Sequence, residues 1–418
     1  MKNKPFQKLY DTVVIGGGAA GLAGASKSFD LGLKTLILEN NDHIGGIPFQ
    51  CTHPGFGNFF YNENLTGSEF SERMKTKIFD QNIEYFTNAH VTRIIQHMDL
   101  KKEIKLITPE GAFSLFTKTI LYSTGARERH VHETGIKGDR VSGIFTAGET
   151  QTLMDIYGIM PGKKIVIVGS GDIGLIMARR FALEGACVVG VIEMLSYPSG
   201  LSRNVVQCLH DFNIPLYTNR RVKEIRGEKR VEKVITEKLD KNLNPIDNSE
   251  KEFDCDTVAL ATGLVPYTKI LDDLDVNIDP DTKGPMVDDY LQTSIPGVFA
   301  AGNVLTINDY VDDAADQGEL AAYGAKRFIE GEGIPNKKLK SIEKKGNVRM
   351  IVPHNFTGDH DVTLYVRVKQ PRPKATIRIP EIQKEIQKRG VTPGQMIKIS
   401  LTKEEISPVE NQLTLEII

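Results

Sequence analysis

Residues 12–21 read Thr12-Val13-Val14-Ile15-Gly16-Gly17-Gly18-Ala19-Ala20-Gly21, and residues 33–39 read Leu33-Lys34-Thr35-Leu36-Ile37-Leu38-Glu39. The first apolar run is short, ends in turn residues and reads as a buried parallel strand. Gly16, Gly18 and Gly21 form a G-x-G-x-x-G turn. The first glycine allows the tight turn, the second lets backbone approach a pyrophosphate, and the third lets the next helix pack close to the strand. That helix offers phosphates its free N–H groups and the positive end of its dipole. The second strand ends in Glu39, a carboxylate able to accept both hydroxyls of an adenosine ribose. Strand, turn, helix, strand and acid in this order point to a bound dinucleotide rather than to an ordinary Gly-rich turn.

The unit recurs. Lys164-Ile165-Val166-Ile167-Val168 is a strand and Gly169-Ser170-Gly171-Asp172-Ile173-Gly174 a turn; Leu175 to Glu184 is a helix, and Cys187 to Ile192 a strand ended by Glu193. The strand ending in Ser123-Thr124-Gly125 is echoed by the one ending in Ala261-Thr262-Gly263. A further buried strand ends in Ala300-Ala301-Gly302-Asn303 and leads into a helix over about 312–329. Elsewhere the pattern predicts a helix from 68 to 81 with Ser68 as its cap and Glu72 in its first turn. It also predicts strands at 83–86 and 89–95 and a hairpin over 104–119 turning at Pro109-Glu110-Gly111.

The chain has 418 residues, enough for two or three domains. Hydrophobic and charged fractions of 40% and 25% are those of a globular protein. A net charge of -2 gives no electrostatic case for nucleic acid or an anionic membrane. No apolar run reaches the ~20 residues of a membrane span, and the first residues lack an apolar signal core. Cys51, Cys187, Cys208 and Cys255 are scattered without C-x-x-C spacing. This predicts a reducing cytoplasm, no disulfide framework and no metal site.

Lys337, Lys338, Lys340, Lys344 and Lys345 lie among Gly and Pro and read as a solvated linker. Beyond it, Val362, Leu364, Val366 and Val368 alternate with polar residues as a half-buried strand. Pro380 opens a short helix with Ile382 and Ile386 on one face and Gly390 as its stop, and 396–401 is another strand. The tail is thus expected to be a small α+β domain with no catalytic signature, there for association or to cover an edge.

Over residues 10–330 these features resemble the two-dinucleotide-domain flavoproteins, the pyridine-nucleotide oxidoreductases related to thioredoxin and glutathione reductases. The resemblance implies an α/β fold with two Rossmann-like dinucleotide-binding domains, the NAD domain inserted in the FAD domain, plus the small C-terminal α+β domain. The boundaries are 1–125 and 265–335 for FAD, 126–264 for NAD(H), 336–349 for the linker and 350–418 for the tail. The implied cofactor-binding residues are Gly16, Gly18, Ala19, Ala20, Gly21, Glu39, Gly46, Val91, Thr124, Gly125, Gly169, Gly171, Asp172, Ile173, Gly174, Glu193, Gly263, Gly302 and Asn303. The runs at 50–57, 169–180, 203–209 and 301–305 are similar to FAD/NAD oxidoreductases of anaerobic bacteria associated with an FAD-dependent glycerol-3-phosphate dehydrogenase. The run 143–151 is similar to a subunit of the opine, proline and cyanide-forming amine dehydrogenases. These likenesses imply an oligomer with a partner dehydrogenase subunit that acts on a small-molecule substrate.

Two departures stand out. Disulfide reductases of this family carry a cysteine pair beside the flavin; here the first loop has Cys51 alone and 126–163 has none. The late motif usually reads Gly-Asp, whose acid holds the ribityl chain; Asn303 keeps acceptor capacity, so FAD is still expected to bind. Glu193 suits free ribose hydroxyls and opposes a 2′-phosphate, which favours NADH over NADPH.

Cys51 and His53 are the candidate catalytic pair, a thiolate beside an imidazolium, against the plainer reading of a packing thiol and a loop histidine. Cys187, Cys208 and Cys255 read as core. Arg127 and Arg129 read either as an anion site or as hinge arginines. The expected activity is electron exchange between FAD and NAD(H), with a self-sufficient NADH oxidase or peroxidase using Cys51, or a redox-sensing interaction protein, as alternatives.

Overall fold

The computed structural model describes residues 8–331 and 339–418; Lys337 and Lys338, with the first seven residues, lie outside them. The chain divides into two units, residues 127–265 and the remainder.

In the larger unit, strand Leu9–Ile15 leads through the glycine turn into helix α1 (Ala19–Asp30) and strand Thr35–Leu38. Ile15 pairs in parallel with Leu38 on one side and with Tyr122 on the other, so three strand ends meet at one edge. Val13, Val14, Leu36, Ile37, Ile120 and Leu121 are buried, because a parallel strand is covered on both faces. Helix α2 (Gly67–Asp80) starts one residue earlier than its sequence suggested. Its cap is Thr66, not Ser68, and its first-turn acid is Glu69, not Glu72: the S/T-x-x-E spacing of a capping box is met by Thr66 and Glu69. Strand His90–Gln96 pairs with Lys102–Thr108, which hairpins into Gly111–Tyr122.

The smaller unit repeats the plan. Helix α3 (Ala147–Asp155) follows strand Ile144–Thr146, strand Lys164–Val168 leads into α4 (Asp172–Leu183) and then strand Cys187–Ile192, and α5 (Ser202–Cys208) comes after it. Its five-stranded sheet is parallel throughout, with Lys164–Val168 between Thr257–Leu260 and Cys187–Ile192. Cys187 is exposed at the start of its strand, against the expectation that it is core.

Back in the larger unit, strand Val298–Ala300 joins the sheet beside Ile120–Tyr122 and feeds α6 (Val311–Ile329). The tail departs from expectation. Residues Lys340–Gly346, placed in a linker by composition, form a strand pairing in parallel with Gln412–Ile417. The partner along most of its length comes about seventy residues later, and the nearer one, Asn355–Phe356, pairs with Lys340 and Ser341 alone, so no local pattern announces the strand. Residues Lys384–Val391 form a strand instead of a helix, and Ile386 pairs with Ile377. Ile382 and Ile386 are four apart, a spacing that satisfies a period of 2 as well as 3.6. The tail is therefore not α+β but nearly all β: its only described α-helix is one turn, α7 (Lys403–Ile406). It has an apolar core of its own, yet Val352 and Tyr365 belong to the core of the main body.

Candidate functional site

In the first glycine turn a Cβ on Gly16 would lie 2.4 Å from the Ser123 carbonyl oxygen, so only glycine lets the turn pack against that strand end. In the second, a Cβ on Gly169 would lie 2.2 Å from the Ala261 carbonyl oxygen. Both residues have φ of +102°. The middle glycines face space: the nearest atom to a Cβ on Gly18 is Gly46 Cα at 3.8 Å, and on Gly171 is Ser199 Oγ at 4.0 Å. A phosphate group needs this room beside backbone N–H groups.

Neither α1 nor α4 has a side-chain hydrogen bond at its N-cap, Gly18 or Gly171, whereas α2, α3 and α7 each carry a complete Thr/Glu capping box. A capping side chain contributes ~1 kcal/mol. Its absence at the two glycine turns leaves the donors of Ala19, Ala20 and Gly21, and of Ile173 and Gly174, for an anion. These features fit a dinucleotide in each unit.

The two acids differ in their free capacity. Glu39 is buried; its Oε2 accepts Gly17 N–H at 2.7 Å and its Oε1 accepts Asn41 N–H at 2.8 Å. A carboxylate has about four acceptor sites, so two remain for a ribose. Glu193 accepts Ser170 N–H at 3.0 Å, the Ser170 hydroxyl, the Ser199 hydroxyl at 3.2 Å and Leu195 N–H at 2.9 Å. Three of these donors crowd Oε2 and one falls on Oε1, so one Oε1 site remains for a ribose hydroxyl, and Ser199 must turn away before a second takes its place on Oε2. Ser170 and Ser199 were not anticipated from sequence.

The remaining expected residues fall as follows. Gly46 has φ of +64°, and a Cβ there would lie 2.6 Å from Gly18 Cα, so it closes over the first turn. Val91 is buried in its strand. Thr124 donates to Tyr267 O at 2.9 Å, and Gly125 O accepts Tyr267 N–H at 3.0 Å. In the smaller unit the Thr262 hydroxyl is buried with no partner beside Gly263, an orphan suited to a ligand. Asp172 accepts Leu201 N–H at 2.8 Å and the Asn204 amide at 2.7 Å, so it fixes the loop after the second strand. Gly302 N–H donates to Gln317 Oε1 at 2.9 Å. Asn303 Oδ1 accepts Asn308 N–H at 3.0 Å and the Asn308 amide at 3.3 Å. The oxygen expected to face a ribityl chain is thus turned to the protein, and the Asn303 amide group is what it can offer a ligand.

Cys51 is buried, and its thiol donates to Ile47 O at 3.4 Å. His53 Nδ1 lies 3.0 Å from Pro54 O, and its ring packs on Phe56. Each side chain is directed to a different backbone carbonyl. Burial pushes the Cys208 thiol up to about 11 and the Cys255 thiol up to about 12. Arg127 forms a two-pronged bond to Glu133 at 2.7 and 2.9 Å, which occupies its fork. Asp312, unanticipated, accepts Phe59 N–H at 3.0 Å and Phe60 N–H at 2.8 Å and so ties the loop after Cys51 to the start of α6. The acid pair Asp312-Asp313 in the first turn of the Ala- and Gly-containing α6 was the signal for it.

Residues 10–318 match the family described as pyridine nucleotide-disulphide oxidoreductase. A thioredoxin reductase of Treponema pallidum is 27% identical over 333 residues, which cover 77% of this chain and 97% of that protein. A ferredoxin–NADP reductase of Picrophilus torridus is 26% identical and covers 77% and 93%. The crystal structure of T. acidophilum thioredoxin reductase superposes with a TM-score of 0.64 at 25% identity, over 77% of this chain and 99% of that one. With two uncapped glycine turns each clamped by its own acid, the chain belongs to the pyridine nucleotide-disulphide oxidoreductases, a family of FAD-dependent NAD(P)H oxidoreductases.

Proposed function

We propose that this chain exchanges electrons between NAD(H) and FAD as the NAD-linked subunit of a larger metabolite dehydrogenase, one that oxidises glycerol 3-phosphate or a similar small molecule. FAD supplies two-electron chemistry with a nicotinamide when bound. Gly18, Gly46 and the start of α1 would hold its pyrophosphate and Glu39 its ribose, while Gly171, the start of α4, Thr262 and Glu193 would hold NAD(H). The Glu193 carboxylate opposes a 2′-phosphate, which supports NADH over NADPH.

The observation that carries this reading is the state of the cysteines. No two of the four are joined in a disulfide; Cys51 is buried on a carbonyl, and burial holds Cys208 and Cys255 in the thiol form. A dithiol relay of the kind needed for a thioredoxin-type protein substrate, the alternative raised by the relatives' names, has no pair to use. Electrons then leave FAD directly to a partner.

The test is steady-state turnover of the purified FAD-loaded chain with NADH. Artificial dyes should be reduced fast and oxygen slowly. Chains captured with it from the native host should couple a metabolite such as glycerol 3-phosphate to NAD. Rapid oxygen or peroxide reduction that Cys51→Ser stops contradicts the proposal.

A further inference from the structure

Away from both glycine turns, three ionisable side chains meet where the tail folds onto the main body. Asp289 lies on the body, Asp359 and His360 on the tail, and one possible ligand atom from each lies within 4.8 Å of the other two. The Asp289 side chain has no exposed surface, and its Oδ1 is buried without a donor. Its Oδ2 accepts the N–H and the hydroxyl of Thr357, each at 2.8 Å. Asp359 Oδ1 presses on the same hydroxyl. That hydroxyl has one proton, so two carboxylates share a donor that can serve one of them.

His360 completes the arrangement. Its Nε2 lies 3.3 Å from the Asp289 carbonyl oxygen, which accepts when that nitrogen carries the proton. Nδ1 is then a bare lone pair, buried and without a partner, aimed at Asp289 Oδ2 at 3.6 Å and Asp359 Oδ1 at 3.8 Å. Tyr290 packs on the imidazole with ring centroids 4.1 Å apart, and Arg327 lies over Tyr290, so the ring is held in place. Arg327 also reaches Asp359 Oδ2 at 3.2 Å, which offsets one of the two negative charges.

We propose that Asp289, Asp359 and His360 bind a divalent cation, zinc or a similar borderline ion, that staples the tail to the main body. Ligand atoms around tetrahedral zinc with bonds of ~2.0–2.2 Å sit ~3.3–3.6 Å apart, near the 3.6 and 3.8 Å from His360 Nδ1 to the two carboxylate oxygens. One imidazole nitrogen with carboxylate oxygens suits such an ion. The second imidazole nitrogen bonded to a backbone carbonyl is the usual way a ligating histidine is oriented. A water completes the shell from the exposed side of His360.

The test uses the full FAD-loaded chain, stripped with EDTA, desalted and titrated with zinc chloride and separately with manganese chloride by calorimetry, with bound metal counted by mass spectrometry. One tightly held ion per chain and a higher thermal midpoint are expected. His360→Ala and Asp359→Asn should each weaken binding at least ~10-fold, with FAD content unchanged. If His360→Ala does not fold, the partly exposed Asp359→Asn decides. No stoichiometric uptake, or equal uptake by wild type and variants, overturns the proposal. So does a His360 ring that NMR shows protonated at pH 8 and indifferent to added metal, since the cluster is then an imidazolium ion pair.

Discussion

Glu39 accepts the backbone N–H of Gly17 at 2.7 Å, inside the glycine turn it was expected only to accompany. The carboxylate therefore shapes the turn and still has acceptor sites to offer a ribose. Glu193 stands in the same relation to Ser170. Glu39→Ala leaves a buried donor unpaired, at a cost of ~1–3 kcal/mol. Weakening of FAD binding by ~10-fold or more is expected, with Glu39→Gln milder because its amide oxygen still accepts. Flavin-to-protein ratio after dialysis and fluorescence titration measure this; an unchanged affinity contradicts the role.

A preference for NADH over NADPH is expected from the Glu193 carboxylate. In rapid mixing, flavin reduction should saturate at lower NADH than NADPH, and Glu193→Gln should narrow the gap by removing the charge. Ser199→Ala should tighten NADH binding, because it removes one of three donors crowded on Glu193 Oε2. Equal saturation by the two nucleotides in the wild type removes the argument.

The tail gives a third expectation. Arg367 donates to Ile307 O at 2.9 Å and Gly394 O at 2.6 Å and pairs with the buried Asp309, whose other oxygen takes Met396 N–H at 2.6 Å. Breaking a buried pair from one side costs ~3–5 kcal/mol. Arg367→Ala should lower the thermal midpoint by several degrees, and deletion of 350–418 should cost FAD retention, since Val352 and Tyr365 leave the main core. A truncated chain with full flavin content would show the tail to be dispensable.

Lys102 provides a pH signature. Its amine is buried and donates to Leu100 O at 2.8 Å and Lys118 O at 3.0 Å; burial lowers it from 10.5 to about 8. Below pH 8 both folded and unfolded chains hold the proton, and the full burial cost applies. Between about 8 and 10.5 only the unfolded chain holds it, so stability rises with pH through that window. Between pH 7.5 and 9.5 the wild type should gain ~1–2 kcal/mol over Lys102→Met in denaturant unfolding. Parallel pH curves for the two would place the proton elsewhere.

Both nucleotide units were legible because their signals are local: glycine spacing, apolar runs and a terminal acid lie within about thirty residues. What was missed depends on distant partners. Strand Lys340–Gly346 is exposed and lysine-rich, and pairing with Gln412–Ile417 along its length and with Asn355–Phe356 at its start makes it a strand. Ile382 and Ile386 fit two periods, and the pairing of Ile386 with Ile377 selects one. Cys51 and His53 are neighbours in sequence, but the turn at Ile47–Gln50 and strand Pro54–Phe56 give them different carbonyls. The crowding of Glu193 Oε2 comes in part from Ser199, six residues on, in a loop fixed by Asp172.

Electrons are expected to pass between NADH and FAD with no thiol relay, and anaerobic titration of the FAD-loaded chain with NADH tests this most directly, with free thiols counted before and after. Two electrons per FAD, no new thiols and the same endpoint for Cys51→Ser are expected. Four electrons per FAD with two thiols released would contradict it.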